Sequence, residues 1–281
     1  MVLLAFLLVI FSGLLHALWN LFAKKSVSKI TFLWSIHIVS FILLLPYFLW
    51  KVPELRLDGD GILLFLASML FQIFYVFSLI TGYTKGELSV VYPVLRGSAS
   101  LIIPVASVLL FKETLSFWGW IGLLLILSGI LAISDFRLKM DRQTRISIFI
   151  AIGGGFSIAG YTLSDKALLE FMGPLMIIQF QNYIYGVSLL WGIGGFGQLK
   201  EEWKVNWKII LLGALFVPGA YALFLYAMQL AQVAQLAPLR EISIVFGAIL
   251  GMLFLKETQG KRRIVSSLII VLGITVLGFL G

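Results

Sequence analysis

The sequence predicts an all-α integral membrane fold: ten transmembrane helices arranged as two inverted five-helix repeats. Three observations carry that expectation. The chain is 60% hydrophobic and only 12% charged, whereas soluble domains average about 45–50% apolar and about 25% charged residues. Surplus apolar surface on that scale has to face lipid. Ten apolar runs approach or exceed the roughly 20 residues that a spanning helix needs. Finally, residue patterns of the first five runs recur in the last five at a nearly constant offset, which marks a repeat.

In chain order the runs are 2–23, 31–50, 61–81, 88–111, 117–134, 146–165, 174–194, 208–230, 234–255 and 262–280. Residues 2–15 have the length of a signal-peptide core. No Lys or Arg precedes them and no small-x-small site follows, so they read as the first spanning helix. The links are short and hold most of the charge, as in Lys24-Lys25, Asp58-Gly59-Asp60 and Lys200-Glu201-Glu202. The longest central link, Asp135 to Arg145, separates a first repeat at 1–135 from a second at 146–281.

The repeat is legible residue by residue. Phe111-Lys112-Glu113-Thr114 returns as Leu255-Lys256-Glu257-Thr258, and Pro93-Val94-Leu95-Arg96 returns, one residue shorter, as Pro238-Leu239-Arg240. Gly129 and Gly273 keep the same spacing, and Trp19 and Lys24 correspond more weakly to Tyr161 and Lys166. Because five is odd, the second half must enter the membrane from the opposite side, the arrangement in which substrate binds near the midplane between halves.

The net charge of +8 would suggest a nucleic-acid partner in a soluble protein. Here the cations sit in short connections: the odd-numbered ones hold 15 Lys and Arg, the even-numbered ones 4. By the positive-inside rule the odd connections are cytoplasmic and both termini face outward. The cell membrane, crossed many times, is the expected location. There is no cysteine, which removes thiolate metal sites and cysteine nucleophiles. Gly153-Gly154-Gly155 follows no strand, and Gly260-Lys261 lacks the rest of a phosphate loop. Gly247-x-x-x-Gly251 reads as a weak helix-packing motif. No cofactor or metal site is expected, and nothing points to ATP-driven transport.

Two five-helix halves, each with a Pro-containing fourth helix, a Lys-Glu-Thr turn and a Gly-bearing last helix, resemble the EamA-domain group of the drug/metabolite transporter superfamily. The resemblance covers nearly the whole chain. Glu113 and Glu257 sit where that family commonly has Gly-Glu, with Lys in place of the Gly. The resemblance implies a secondary transporter, often an exporter of amino acids or related metabolites, and no enzyme activity.

Arg96 and Arg240 lead the candidate substrate-binding residues. Each lies about eight residues into its run, roughly 12 Å at 1.5 Å per residue, where a charge costs about 2.5–3.5 kcal/mol on insertion scales. Each also follows a proline that opens the backbone ladder, and breaks at corresponding positions of two halves point to a transporter site. Either arginine can grip an anionic group with its fork, or pair structurally. Glu241 reads as the only carboxylate well inside a span. It is a candidate for proton coupling, or an ion-pair partner of Arg96 or Arg240. Ser12, His16, Asn20 and Lys24 recur every four residues and share one helix face, with Trp19 beside it. Ser157, Tyr161 and Asp165 answer on the sixth run. His16, Trp19, Asn20, Tyr75, Tyr161, Gln179 and Tyr221 complete the expected lining. The expected substrate is a small anionic or zwitterionic, amino-acid-like metabolite. Two intramembrane arginines argue against cationic drugs, and the absence of clustered nucleophiles argues against an intramembrane enzyme. Besides substrate and bilayer, a second copy of the chain is the candidate partner, as a homodimer; nucleic acid is not.

Overall fold

The structure, a computed structural model, describes residues 1–85, 88–133, 142–256 and 260–281. Glu257 and Thr258 of the second Lys-Glu-Thr turn, and residues 135–141 of the central link, lie outside them. The described residues form α1 (Val2–Ala23), α2 (Lys29–Lys51), α3 (Gly59–Lys85), α4 (Leu88–Leu110), α5 (Phe117–Ile133), α6 (Arg142–Leu168), α7 (Pro174–Leu189), α8 (Phe196–Met228), α9 (Val233–Leu239), α10 (Ile242–Leu255) and α11 (Lys261–Leu280). Among the described residues, eight segments are long and apolar enough to cross a membrane, the pair α9–α10 counting as one. α5 is apolar but has 17 residues, and α7 has 16.

Helix is the only local solution for such runs, because each backbone group then bonds within its own segment. Their ends follow the polar residues. Ser28 caps α2 by accepting from Thr31 N–H, and Pro174 opens α7 where its missing N–H costs nothing. Lys112 after α4 and Lys256 after α10 both adopt left-handed backbone, at φ 55° and 53°. That conformation favours glycine, which is the residue that the resemblance places before the Glu.

Three predicted runs differ in the structure. The seventh ends at Leu189 and closes with one 3₁₀ turn, Leu190–Gly192, rather than reaching 194. The eighth begins at Phe196, with a kink at Asn206 (φ −119°, ψ 16°). Its polar opening is helical because Glu202 is buried: Ser28 N–H donates to its Oε2 at 2.7 Å and Asn206 Nδ2 to its Oε1 at 2.6 Å. The ninth run divides at Arg240–Glu241, where the main chain tightens to three-residue bonds, Glu241 N–H to the Pro238 carbonyl and Ser243 N–H to that of Arg240. The matching break expected in the first half is not formed; α4 runs unbroken through Pro93 and Arg96.

The packing is two-fold. α3 packs on α6 as α8 packs on α1; α4 packs on α6 as α9 and α10 pack on α1; α2 meets its counterpart α7, and α5 meets α11. Glycines set the closest approaches. A Cβ on Gly273 would lie 2.7 Å from the Gly122 carbonyl oxygen, and one on Gly129 2.9 Å from that of Ser266, so α5 and α11 touch backbone to backbone. Gly155 meets the Leu95 carbonyl at 2.8 Å as Gly13 meets Ser243 N at 3.3 Å. Gly247, read as a packing position, has open space around it instead, because it borders a cavity. Outward surfaces carry Leu63, Phe77, Leu109 and Phe149, whereas Ser68, Gln72, Asp165 and Gln181 are buried inside, the distribution a lipid solvent demands.

Candidate functional site

Two adjoining cavities occupy the interface between the halves. The wider one, about 650 Å³, lies among α1, α4, α5, α10 and α11. This is within the roughly 300–1,000 Å³ of small-molecule sites. Lys24, Lys29, Arg262 and Arg263 are among its lining residues, and all four belong to the Lys- and Arg-rich connections. Three of the four stripe residues of α1 line it: His16, Asn20 and Lys24. Ser12 instead bonds helix to helix, its hydroxyl donating to the Ala220 carbonyl at 2.5 Å.

His16 also lines the second, deeper cavity, about 90 Å³. At roughly 10–15 Å³ per water of this kind of volume, it has room for about six water-sized groups. Trp19, Tyr75 and Tyr161 form its walls, together with Tyr221, Arg96 and Arg240. The aromatic rings interlock edge to face: Tyr75 on Tyr161 and Tyr161 on Tyr221, each with centroids 5.9 Å apart. Trp19 Nε1 donates to His16 Nδ1 at 3.2 Å, and Asn20 Nδ2 to the His16 carbonyl at 2.8 Å.

The two arginines have unequal surroundings. Arg96 forks onto Glu241, Nη2 to Oε1 at 2.7 Å and Nε to Oε2 at 3.2 Å, both residues buried. Of the two sequence readings of Glu241, the ion pair with Arg96 is the geometry present. The Arg240 guanidinium instead lies over aromatic faces, 4.8 Å from the Phe224 ring centre and 5.2 Å from that of Tyr221. Its Nε is shut off from solvent with no hydrogen-bond partner among the described residues. Arg240 borders the deeper cavity with no carboxylate in ion-pair distance among the described residues, which suits an anionic group brought in from outside.

Gln179 does not join the site. Its Nε2 donates to the Phe41 carbonyl at 3.1 Å, tying α7 to α2, and it lines neither cavity. Glu241 is also not the only carboxylate inside the bundle. Asp165 is fully buried and accepts from Ser68 Oγ at 2.5 Å, Tyr221 O–H at 2.7 Å and Gln181 Nε2 at 2.9 Å. The sequence signal was its four-residue spacing from Tyr161. Lys166 beside it suggests a helix end, but α6 continues to Leu168, and Lys166 turns away to donate to the Met228 carbonyl. His37 was also missed. It lines the deeper cavity, stacked on Tyr185 at 4.3 Å and bonded to Asn182 at 2.9 Å. Glu113 of the first Lys-Glu-Thr turn caps α9, accepting from Val233 N–H at 3.0 Å and Ala234 N–H at 2.8 Å. It thereby fixes the short helix that leads into Arg240.

With this geometry in hand, comparison with known proteins is specific. The EamA-like transporter family matches residues 3–135 and again residues 145–279. Among curated proteins none matches. One solved structure, described only as a crystal structure of a protein, superposes with a TM-score of 0.76 at 16% identity, covering 99% of each chain. That likeness is one of fold.

Proposed function

We propose that this chain, which belongs to the EamA-like transporter family, is a secondary transporter of a small anionic or zwitterionic metabolite whose acidic group is held by Arg240. Membership makes it a multi-pass membrane transporter of small molecules. The substrate class, and a route through the cell membrane by alternating access of two inverted five-helix halves, are the proposal. The observation that carries it is the contrast between the arginines: Arg96 has its carboxylate, while Arg240 faces the deeper cavity without one among the described residues.

The site works by exchange of partners. A carboxylate entering the deeper cavity completes the hydrogen bonds of Arg240, and the aromatic walls exclude water and strengthen that attraction. Arg96 and Glu241 bond α4 of one half to the α9–α10 turn of the other across the same cavity, so movement of one half about the other is felt at the site. Ten crossings, with α5 and α7 as the short ones, fit the two-fold packing and the odd number of helices per half. The wide cavity opens on the Lys- and Arg-rich side, the cytoplasm by charge count, and its basic lining raises the local concentration of anions. That supports loading from the cytoplasm, hence export. Efflux of cationic compounds is disfavoured by the same charge.

The test is transport in proteoliposomes. Amino acids and organic anions are offered as a labelled mixture, and the carried species are identified. Arg240→Gln is expected to abolish carriage while the protein remains inserted and monodisperse. Arg240→Lys separates charge from fork geometry, since an ammonium keeps the charge but not the paired donors. Normal carriage by Arg240→Gln refutes the assignment.

A further inference from the structure

Resting on the reading of Arg240 as the anion site, we infer that Asp165, not Glu241, is the residue that takes up a proton when the anion binds. Glu241 is occupied by the Arg96 fork. Asp165 is a wholly buried carboxylate held by three neutral donors, with no cation in ion-pair distance among the described residues. Its neighbours are known from every element packed around it. α3 presents Ser68 and Gln72, neither of which titrates. α6 itself presents Tyr161, and the Lys166 ammonium is turned to the Met228 carbonyl. α7 presents Gln181 and Tyr185, and α8 presents Tyr221. From α4 the charged group is Arg96, already paired. Arg240, without a carboxylate partner among the described residues, lies over the Tyr221 ring.

One aromatic residue therefore joins the two sites. The Tyr221 hydroxyl donates to Asp165, and its ring lies under the Arg240 guanidinium. With the cavity empty, Tyr221 is held between the two groups by both contacts. An anion bound at Arg240 brings a second negative charge up to the same Tyr221, and Asp165 takes up a proton as the anion binds. Protonation adds H⁺ to one Asp165 oxygen and breaks no bond but a hydrogen bond. The acid O–H becomes a donor, so one of the three present donors has to turn away. Those three come from α3, α7 and α8, which Asp165 ties to α6. The proton thus loosens the bundle at the end remote from the wide cavity. Anion and proton bind together and leave together, and net flux follows the sum of the two gradients.

The experiment uses full-length protein in liposomes with a trapped pH dye and one labelled probe at a time: L-alanine, L-glutamate, lactate or succinate. For the wild type, a carried probe is expected to bring protons in the same direction. Asp165→Asn is expected to exchange labelled for unlabelled probe within a fewfold of the wild-type rate, with no proton movement. Arg240→Gln is expected to carry neither. Proton movement by Asp165→Asn at the wild-type ratio overturns the inference, as does opposite or absent proton movement in the wild type. Normal carriage by Arg240→Gln refutes the anion site instead, and leaves the Asp165 proton trace to be judged alone. If Asp165→Asn does not fold, Tyr221→Phe decides. It keeps the ring under Arg240 and removes one donor to the carboxylate, so the pH of half-maximal proton-coupled transport should shift by as much as about one unit. An unchanged profile overturns the assignment.

Discussion

Replacing each arginine with glutamine should have unequal effects on stability, because among the described residues only one of them has a counter-ion. Arg96→Gln leaves Glu241, 3% exposed, with neither of its two guanidinium bonds. Breaking one partner of a buried ion pair costs about 3–5 kcal/mol, since the remaining charge stays uncompensated. For Arg240→Gln the accounting differs. Its loss removes contacts to Tyr221 and Phe224, each worth about 0.5–2 kcal/mol. It also removes a buried charge whose insertion costs about 2.5–3.5 kcal/mol. The two nearly cancel, so Arg240→Gln should be within about 1 kcal/mol of wild type. Thermal unfolding of the detergent-solubilised protein, followed by tryptophan fluorescence, reads this directly. Arg96→Gln should lose well over 5 °C at a few degrees per kcal/mol, and adding Glu241→Gln should restore much of the loss. Equal losses for the two single variants, or no recovery in the double, would refute the reasoning.

Other outcomes follow from the same geometry. Gly273→Ala places a methyl 2.7 Å from the Gly122 carbonyl and 2.8 Å from Ile126 N, so it should destabilise by about 1–3 kcal/mol; Gly153→Ala, with nothing within 4 Å, should be neutral or stabilise by up to about 1 kcal/mol, both measured by thermal shift. Lys112→Gly relieves left-handed strain of about 1–2 kcal/mol at an unfolded-state cost of about 0.4–1 kcal/mol, so a net gain of up to about 1 kcal/mol is expected in the same assay. Glu113→Gln removes the charge that caps α9 and should cost about 0.5–2 kcal/mol; because α9 leads directly into Arg240, the apparent affinity for the carried anion should fall as well.

Much of the architecture was legible because lipid restricts the chain so severely. Apolar runs and charged links marked nearly every helix; Gly129 and Gly273, read only as part of the repeat, turn out to lie where α5 and α11 touch. The repeat could not show that the Pro93 and Pro238 positions would diverge. α4 absorbs its proline without a break, while the second half divides at Arg240–Glu241. The polar start of α8 looked like a loop because the buried partner of Glu202 is the backbone of Ser28, 174 residues away in sequence. At the site, seven of nine expected residues line the deeper cavity and Asn20 lines the wide one. Gln179 lines neither cavity and bonds α7 to α2 instead; an amide serves equally well as helix-to-helix glue, and composition does not separate the two roles. Asp165 was passed over because a carboxylate next to a lysine reads as a helix end. Its three donors come from three other helices, a proximity that sequence spacing does not reveal.

The most direct test of an anion site reached from one side at a time uses the absence of cysteine from the chain. Ser243→Cys puts one thiol on the wall of the wide cavity, and its rate of reaction with a membrane-impermeant thiol reagent is measured in vesicles of known orientation. The account predicts fast labelling from the Lys- and Arg-rich side, slow labelling from the other, and slowing by a carried anion that disappears in the Arg240→Gln background. Equal labelling from both sides, or protection that survives Arg240→Gln, would contradict it.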